Sequence, residues 1–402
     1  MDTTTTAEVR LHNRRVGHIA YWQGGSEFHY EDDLSRPDHK ILGQVFEDDP
    51  RKIRSARVGL PAWFANLLPE GALRRQIVRE LGGGNIGDFT LLLRVGSNLP
   101  GAVTVSGDHE PEGDMLPHDS DGQLPDHPLR HSLAGVQLKY SISADRLSVP
   151  VSGDGGWWIV KLPDQSLREL PANEFVTMRW MAAAGFPVPA VELIAAREVA
   201  GLADGIVDPA DLVYVINRFD RTAQGKVHVE DFAQVADVDP RFKYSESNVS
   251  YDTLASAIRQ LAGKDGYDDF IRRLVAMLVV GNTDAHLKNW ALIYRDGRTA
   301  DLAPVYDFHS LTVYRPYRYQ PLALSLNGEK VPWSIRVDDF RRMADRIGAD
   351  PARTADLVAE TVSRLRDAWR AGMVDEATRR FQPLAEHYSH RLESLPICRH
   401  AD

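Results

Sequence analysis

Residues 281–297 read GNTDAHLKNWALIYRDG, and the fold turns on this stretch. The run before it, FIRRLVAMLVVG (270–281), places Phe270, Leu274, Met277 and Leu278 at i, i+4, i+7 and i+8, which predicts one apolar helix face. The run inside it, WALIY (290–294), predicts a buried strand. Between them Asn282, Thr283, Asp284, His286, Lys288 and Asn289 crowd into eight residues, so a polar loop is held between two buried segments. Asp284 and Asn289 form Asp-x-x-x-x-Asn, and Asp307 follows a further apolar segment in TADLAPVYDFHSL (299–311). This order is the catalytic arrangement of kinases. Phosphoryl transfer needs positioning and charge neutralisation more than covalent chemistry. One carboxylate must orient the attacking hydroxyl and take its proton, a role that fits Asp284. A second carboxylate and an amide oxygen must hold Mg²⁺, roles that fit Asp307 and Asn289, since hard oxygen ligands suit that ion.

Upstream, WWIVKLP (157–163) sets Lys161 at the end of a predicted strand, where an ammonium can meet phosphate oxygens. Glu174, on the predicted helix PANEFVTMRWMAAAGF (171–186), is placed to hold that lysine. SLAGVQLK (132–139) precedes the strand; its single glycine makes it a poor glycine-rich loop by pattern, although its backbone amides can still cover phosphates. Each residue alone has a plainer reading. Asp284 is a helix cap, His286 a hydrogen-bonded loop histidine, Lys161 a surface lysine and Asp307 a turn cap. The functional reading comes from their order, each after an apolar segment.

The rest of the chain sets the frame. It has 402 residues, 43% hydrophobic and 26% charged, with a formal net charge of -10. That is an ordinary globular composition with room for two or three domains, and its charge does not suit coating nucleic acid. The lone Cys398 excludes a disulfide framework and a multi-cysteine zinc site, and fits a cytoplasmic protein. No apolar run reaches the ~18 residues of a membrane span, and MDTTTTAEVR lacks the build of a signal peptide.

Residues 1–104 read as an N-terminal α+β subdomain. EVRLHN, RVGHIAYW and EFHYEDD are strands, separated by turns at Asn13-Arg14-Arg15 and Gly24-Gly25. PAWFANLLPEGALRRQIVREL (61–81) is a helix broken near Pro69 and Gly71, and a second helix starts after Asp88. Residues 105–130, rich in Gly, Pro and Asp, read as a linker or mobile loop. Residues 131–235 alternate strand, strand, helix, strand, strand, and predict a small antiparallel sheet with one helix on it. Residues 236–402 turn helical and carry the polar loop.

SLAGVQLK, IVKLP, NEF, RFDR, NTDAHLKN and LAPVYDF, in this order, resemble the HipA family of Ser/Thr kinases. Those are typically the toxin of a bacterial toxin–antitoxin pair. NLLPEG (66–71) and GDFTLLLRVGSNLPGAV (87–103) resemble that family's N-terminal subdomain, so the likeness runs from about residue 8 to residue 390. It implies an α+β, protein-kinase-like two-lobed fold with an added N-terminal subdomain and a mostly helical C-terminal lobe. It implies ATP and Mg²⁺ as cofactors, with Asp284 as catalytic base and Asn289 and Asp307 as metal ligands. Lys161 would contact ATP phosphates, and Ala134, Gly135, Val136, Gln137, Leu138 and Lys139 would form the phosphate loop. Asn217, Arg218 and Phe219 would line the adenine hinge. His286, Leu287, Lys288 and Tyr306 would sit in the nucleotide site, with His286 and Lys288 near the phosphates. Ser132 would be a regulatory autophosphorylation site, since a phosphoserine beside ATP phosphates meets like charge. The family loop often reads AGAQEK, and here Leu138 replaces the acidic residue; Asn217 stands where a hinge glutamate is common. Neither change removes Asp284, Asn289 or Asp307.

Three functions follow. The first is a protein Ser/Thr kinase that slows growth by phosphorylating an aminoacyl-tRNA synthetase or other translation component. A HipB-like helix-turn-helix antitoxin is then its partner, and DNA is met only through that antitoxin. The second is a small-molecule kinase of the aminoglycoside or choline type, against which RFDR and SLAGVQ argue. The third is a non-catalytic co-repressor that joins the antitoxin.

Overall fold

Period-two alternation builds the first sheet. In β1 (Thr5–Leu11) Ala7, Val9 and Leu11 are buried and Glu8 and Arg10 are not; β2 (Arg14–Trp22) buries Ile19 and Tyr21 the same way, and Val16 is buried at the bulge where the register against β1 shifts. With β3 (Gly25–Tyr30), β4 (Arg54–Ala56) and β5 (Val103–Ser106) they form an antiparallel five-stranded sheet of order β4-β3-β2-β1-β5. The two hairpin turns fall one residue earlier than the sequence suggests. They are His12-Asn13 and Gln23-Gly24, each with both residues at positive φ (47° and 65°, 49° and 84°), as a two-residue hairpin with matching twist requires. The helix Asp88–Val95 buries Phe89, Leu91 and Leu92 in the same core. The helix beginning at Ala62 ends at Ala65, ahead of Pro69, and the Asn66 side-chain amide ties its end down, donating to Ala62 O at 2.9 Å and Val238 O at 2.8 Å. This is a computed structural model; it describes residues 4–70, 74, 78, 86–111, 114, 139–142 (backbone only), 158–163, 167, 169–199, 207–244 and 249–399. Most of the 105–130 segment lies outside these residues.

A second antiparallel sheet has the order β6-β7-β9-β8, from Lys139–Ile142, Trp158–Lys161, Leu212–Asn217 and Val191–Ala195. The helix Leu170–Ala183 packs on it and stops at Gly185, whose φ of 82° releases the chain. The short hairpin β10 (Arg221–Thr222) and β11 (Gly225–Lys226) leads to β12 (His228–Asp231), which pairs with β13 (Ala291–Tyr294) and, beyond it, β14 (Asp301–Leu302). Beyond residue 249 the chain is mostly helical, with long helices at Tyr251–Leu261, Gly263–Val280, Val337–Arg346, Pro351–Ala368 and Val374–Ser394. The helix Gly263–Val280 is central. Phe270, Leu274, Met277 and Leu278 are all buried, as their spacing predicts, and so are Ile271, Val275, Val279 and Val280. The architecture is thus a mixed α/β fold with a helical C-terminal region.

Candidate active site

The central helix aims the polar loop. It ends at Gly281, whose φ of 71° admits the left-handed turn and whose missing Cβ leaves room for Thr312 Oγ1, which a Cβ would meet at 2.1 Å. Arg391 caps the last carbonyls, donating to Val279 O at 2.8 Å and Leu278 O at 2.5 Å, so a buried guanidinium sits at the negative end of the helix. Past Gly281, Asn282 Oδ1 accepts the N–H of Asp284 at 3.2 Å, and the Tyr251 hydroxyl donates to Ala285 O at 3.1 Å. The loop closes into β13, which is pinned by β12. Asp284 is 7% exposed, fixed by this frame, and Tyr244 donates its hydroxyl to Asp284 Oδ1 at 2.9 Å.

Asp307 comes to the same place from the other direction. Its φ is 56°, an uncommon backbone state for a non-glycine residue, held here by its surroundings. Asn282 Nδ2 donates to its carbonyl at 3.2 Å, which ties the Asp284 loop to the Asp307 turn. Asn289 Nδ2 lies 3.5 Å from Asp307 Oδ2. Lys161 Nζ contacts both Glu174 Oε1 and Asp307 Oδ1 and lies 5.6 Å from the centre of the Tyr214 ring. Burial alone would lower the Lys161 ammonium, but Asp307 and Glu174 outweigh it and push it up to about 12. The lysine is therefore a fixed positive charge. Next to Glu174, Asn173 reads the backbone beyond Asp307, giving Nδ2 to Ser310 O at 2.7 Å and taking the Ser310 N–H at 2.9 Å. Consecutive residues of one helix thus hold the lysine and the segment after the second aspartate.

The set fits a metal-bound nucleotide on one observation: the Asn289 Oδ1 atom is buried with no hydrogen-bond partner among the described residues, beside the Asp307 carboxylate. An orphaned buried amide oxygen and a carboxylate are the hard donors a magnesium ion takes.

Other residues have partners of their own. The Lys288 ammonium is engaged by the N-terminal subdomain. It is held by Glu70 Oε1 at 2.6 Å and Asn66 O at 2.9 Å, both from the N-terminal subdomain, because a buried ammonium needs a carboxylate and NLLPEG supplies one. Leu287 is fully buried in the helical core. His286 is buried against the Tyr244 ring, and burial, then Lys243, hold its imidazole well below its ordinary range, so it is neutral. Tyr306 donates its hydroxyl to Lys288 O at 2.9 Å and packs on Phe219, ring centres 5.5 Å apart. Asn217 ends β9. The Arg218 side chain is spent on the N-terminal subdomain: it grips Asp220 and reaches Asn98 Oδ1 at 3.1 Å, while Arg221 reaches Leu99 O at 2.8 Å and Gly101 O at 3.0 Å. RFDR therefore fastens NLPG. Ser132 and Ala134, Gly135, Val136, Gln137 and Leu138 lie outside the described residues; Lys139 opens β6 opposite Lys161. Sequence reasoning missed Glu70, Asn173, Lys243 and Tyr244. NEF was the one motif that carried a signal for Asn173.

Comparison with known proteins places the whole chain in one family. Residues 7–106 match the HipA N-terminal domain and residues 131–369 the HipA-like C-terminal domain. Two Sinorhizobium fredii proteins with provisional kinase designations are similar. Y4dM is 36% identical over 92% of this chain and 93% of its own, and Y4mE is 31% identical over 75% and 78%. Among solved structures, HipA of Shewanella oneidensis, from a complex with HipB and operator DNA, superposes with a TM-score of 0.65 at 19% identity, covering 98% of this chain and 96% of that one. Its fold is shared from end to end. The chain belongs to the HipA family of kinases.

Proposed function

We propose that this chain is an ATP- and Mg²⁺-dependent protein Ser/Thr kinase. The observation that carries the reading is the buried Lys161 fixed between Glu174 and Asp307, with the Asn289 amide against the same aspartate. Lys161 would hold nucleotide phosphates with a charge that does not titrate at neutral pH. Asn289 Oδ1 and the Asp307 carboxylate would hold the metal, which when bound neutralises phosphate charge. Asp284 would orient the acceptor hydroxyl and take its proton. The Asp307 turn is kept in register with Asp284 by Asn282.

The reading extends to a growth-inhibiting toxin whose substrate is a translation component such as an aminoacyl-tRNA synthetase. The Shewanella likeness supports a HipB-like antitoxin as partner, with DNA met through it and operon co-repression as a second role. Ser132 is proposed as the regulatory phosphosite. The test is incubation of the protein with γ-labelled ATP and a cell lysate, with and without EDTA. Label should enter a protein band on Ser or Thr only when Mg²⁺ is present. Transfer to a small metabolite, or EDTA-insensitive transfer, would overturn the reading. In cells, wild-type overexpression should slow growth and Asp284→Asn should not.

A further inference from the structure

Lys243 and Tyr244 follow a short turn, Pro240–Phe242, in a polar stretch without a recognisable motif. The structure stitches these two residues to the catalytic loop at three points and to Glu70 at a fourth. The Tyr244 hydroxyl donates to Asp284 Oδ1 at 2.9 Å. Its ring meets His286 edge-on, with ring centres 5.0 Å apart. The Lys243 carbonyl accepts the Leu287 N–H at 3.3 Å. The Lys243 ammonium reaches Glu70 at 2.5 Å, the carboxylate that also holds Lys288. Lys243 is 6% exposed, so its charge is committed to this contact.

We propose that Tyr244 is a positioning residue for phosphoryl transfer, setting the plane of the Asp284 carboxylate through its hydroxyl, with Lys243 and Glu70 as its anchor. This rests on Asp284 being the base. An aspartate carboxylate turns in a broad, two-fold torsional well. A donor fixed on Oδ1 selects one orientation, and with it the direction in which Oδ2 meets an acceptor hydroxyl. The anchor matters because a phenol on a mobile segment would share the carboxylate's motion rather than limit it. Glu70 gives that anchor a partner outside the kinase body, so the N-terminal subdomain takes part in holding the base.

The test compares full-length wild type, Tyr244→Phe, Asp284→Glu and the double variant. Phenylalanine keeps the ring against His286 and loses only the donor. Tyr244→Phe should lower kcat roughly tenfold or more, the scale of a hydrogen bond to a charged group, with the KM for ATP and the melting temperature unchanged. In the Asp284→Glu background the same change should cost less than about threefold, because residues that act as one unit are not additive. Wild-type kcat in Tyr244→Phe, a loss matched by a raised KM or a lower melting temperature, or full additivity would each overturn the proposal. Asp284→Asn, run alongside, separates the two levels. If turnover survives there, the base assignment falls and this proposal with it. If turnover is lost there while Tyr244→Phe matches wild type, the positioning role alone falls.

Discussion

Glu70 and Lys288 are 218 residues apart in sequence and 2.6 Å apart in the fold, carboxylate to ammonium. Lys243 shares the same carboxylate at 2.5 Å. One glutamate of the N-terminal subdomain therefore pairs with two lysines of the kinase body beside the candidate base.

Glu70→Gln should destabilise the whole chain. It keeps the shape and removes the charge that both ammoniums contact. Loss of one member of a buried pair costs about 3–5 kcal/mol, and the 29% exposure of Glu70 reduces that to roughly 2–3 kcal/mol, read as a lower urea midpoint. Burial opposes its ionisation, but Lys288 and Lys243 prevail and hold the carboxyl well below the glutamate range. Its contribution is then fully present above the ordinary glutamate range and is lost as the pH falls through its depressed value. The wild-type and Glu70→Gln midpoints should converge in acid; a constant gap would contradict the pairing.

Glu230 should show the opposite sign. It is buried, accepts from Trp63 Nε1 at 2.9 Å and the Tyr294 hydroxyl at 3.0 Å, and burial pushes it up to about 7. A carboxyl raised in the folded state adds stability that is full below its unfolded value of 4.5 and is lost as the pH rises through about 7. Glu230→Gln cannot ionise. Its stability relative to wild type should improve on going from pH 5 to pH 8, measured as the difference between the two urea midpoints. A pH-independent difference would count against the shift.

Lys161→Met should abolish nucleotide binding and also destabilise, because Glu174 and Asp307 would face each other without the ammonium. Adding Glu174→Gln should restore part of the melting temperature and none of the binding, read by calorimetry with a non-hydrolysable ATP analogue. Recovery of binding in the double variant would remove Lys161 from the phosphate site.

The legible parts of the chain were those where local chemistry and tertiary need agree. Gly185 and Gly281 end helices because a left-handed residue is needed there, and alternation in β1 and β2 marks a half-buried sheet. Phe270 to Leu278 read as a helix face because they are one. The nearness of Asn289 and Lys161 to Asp307, and of Lys161 to Glu174, follows the order of the motifs in the sequence. Illegible were residues whose partners are set only by the fold. Glu70 sits in NLLPEG and reads as a helix break; Lys243 and Tyr244 sit in a polar stretch; β12 carries His228 and Glu230 into the interior with no apolar alternation to announce a strand. Arg218 and Lys288 were placed at the nucleotide site by the family resemblance alone, and nothing in their local sequence announces the contacts both make with the N-terminal subdomain.

Asp307→Asn should weaken Mg²⁺-dependent nucleotide binding, since it removes the charge on the metal side of the site. It also deprives Lys161 of one of its two carboxylates. In calorimetry the ATP analogue should bind wild type more weakly in EDTA than in Mg²⁺, and Asp307→Asn should lose most of that difference. Equal affinity of wild type in both buffers would contradict the metal assignment.

The central claim is that Asp284 is the base of a phosphoryl transfer whose nucleotide is held by other residues. The most direct measurement is transfer from γ-labelled ATP by Asp284→Asn, paired with its affinity for the ATP analogue. Asparagine fills the same space and cannot accept the proton. The account predicts turnover lowered by about 10²-fold or more with affinity and melting temperature near wild type. Turnover close to wild type, or loss of nucleotide binding in parallel with loss of transfer, would contradict it.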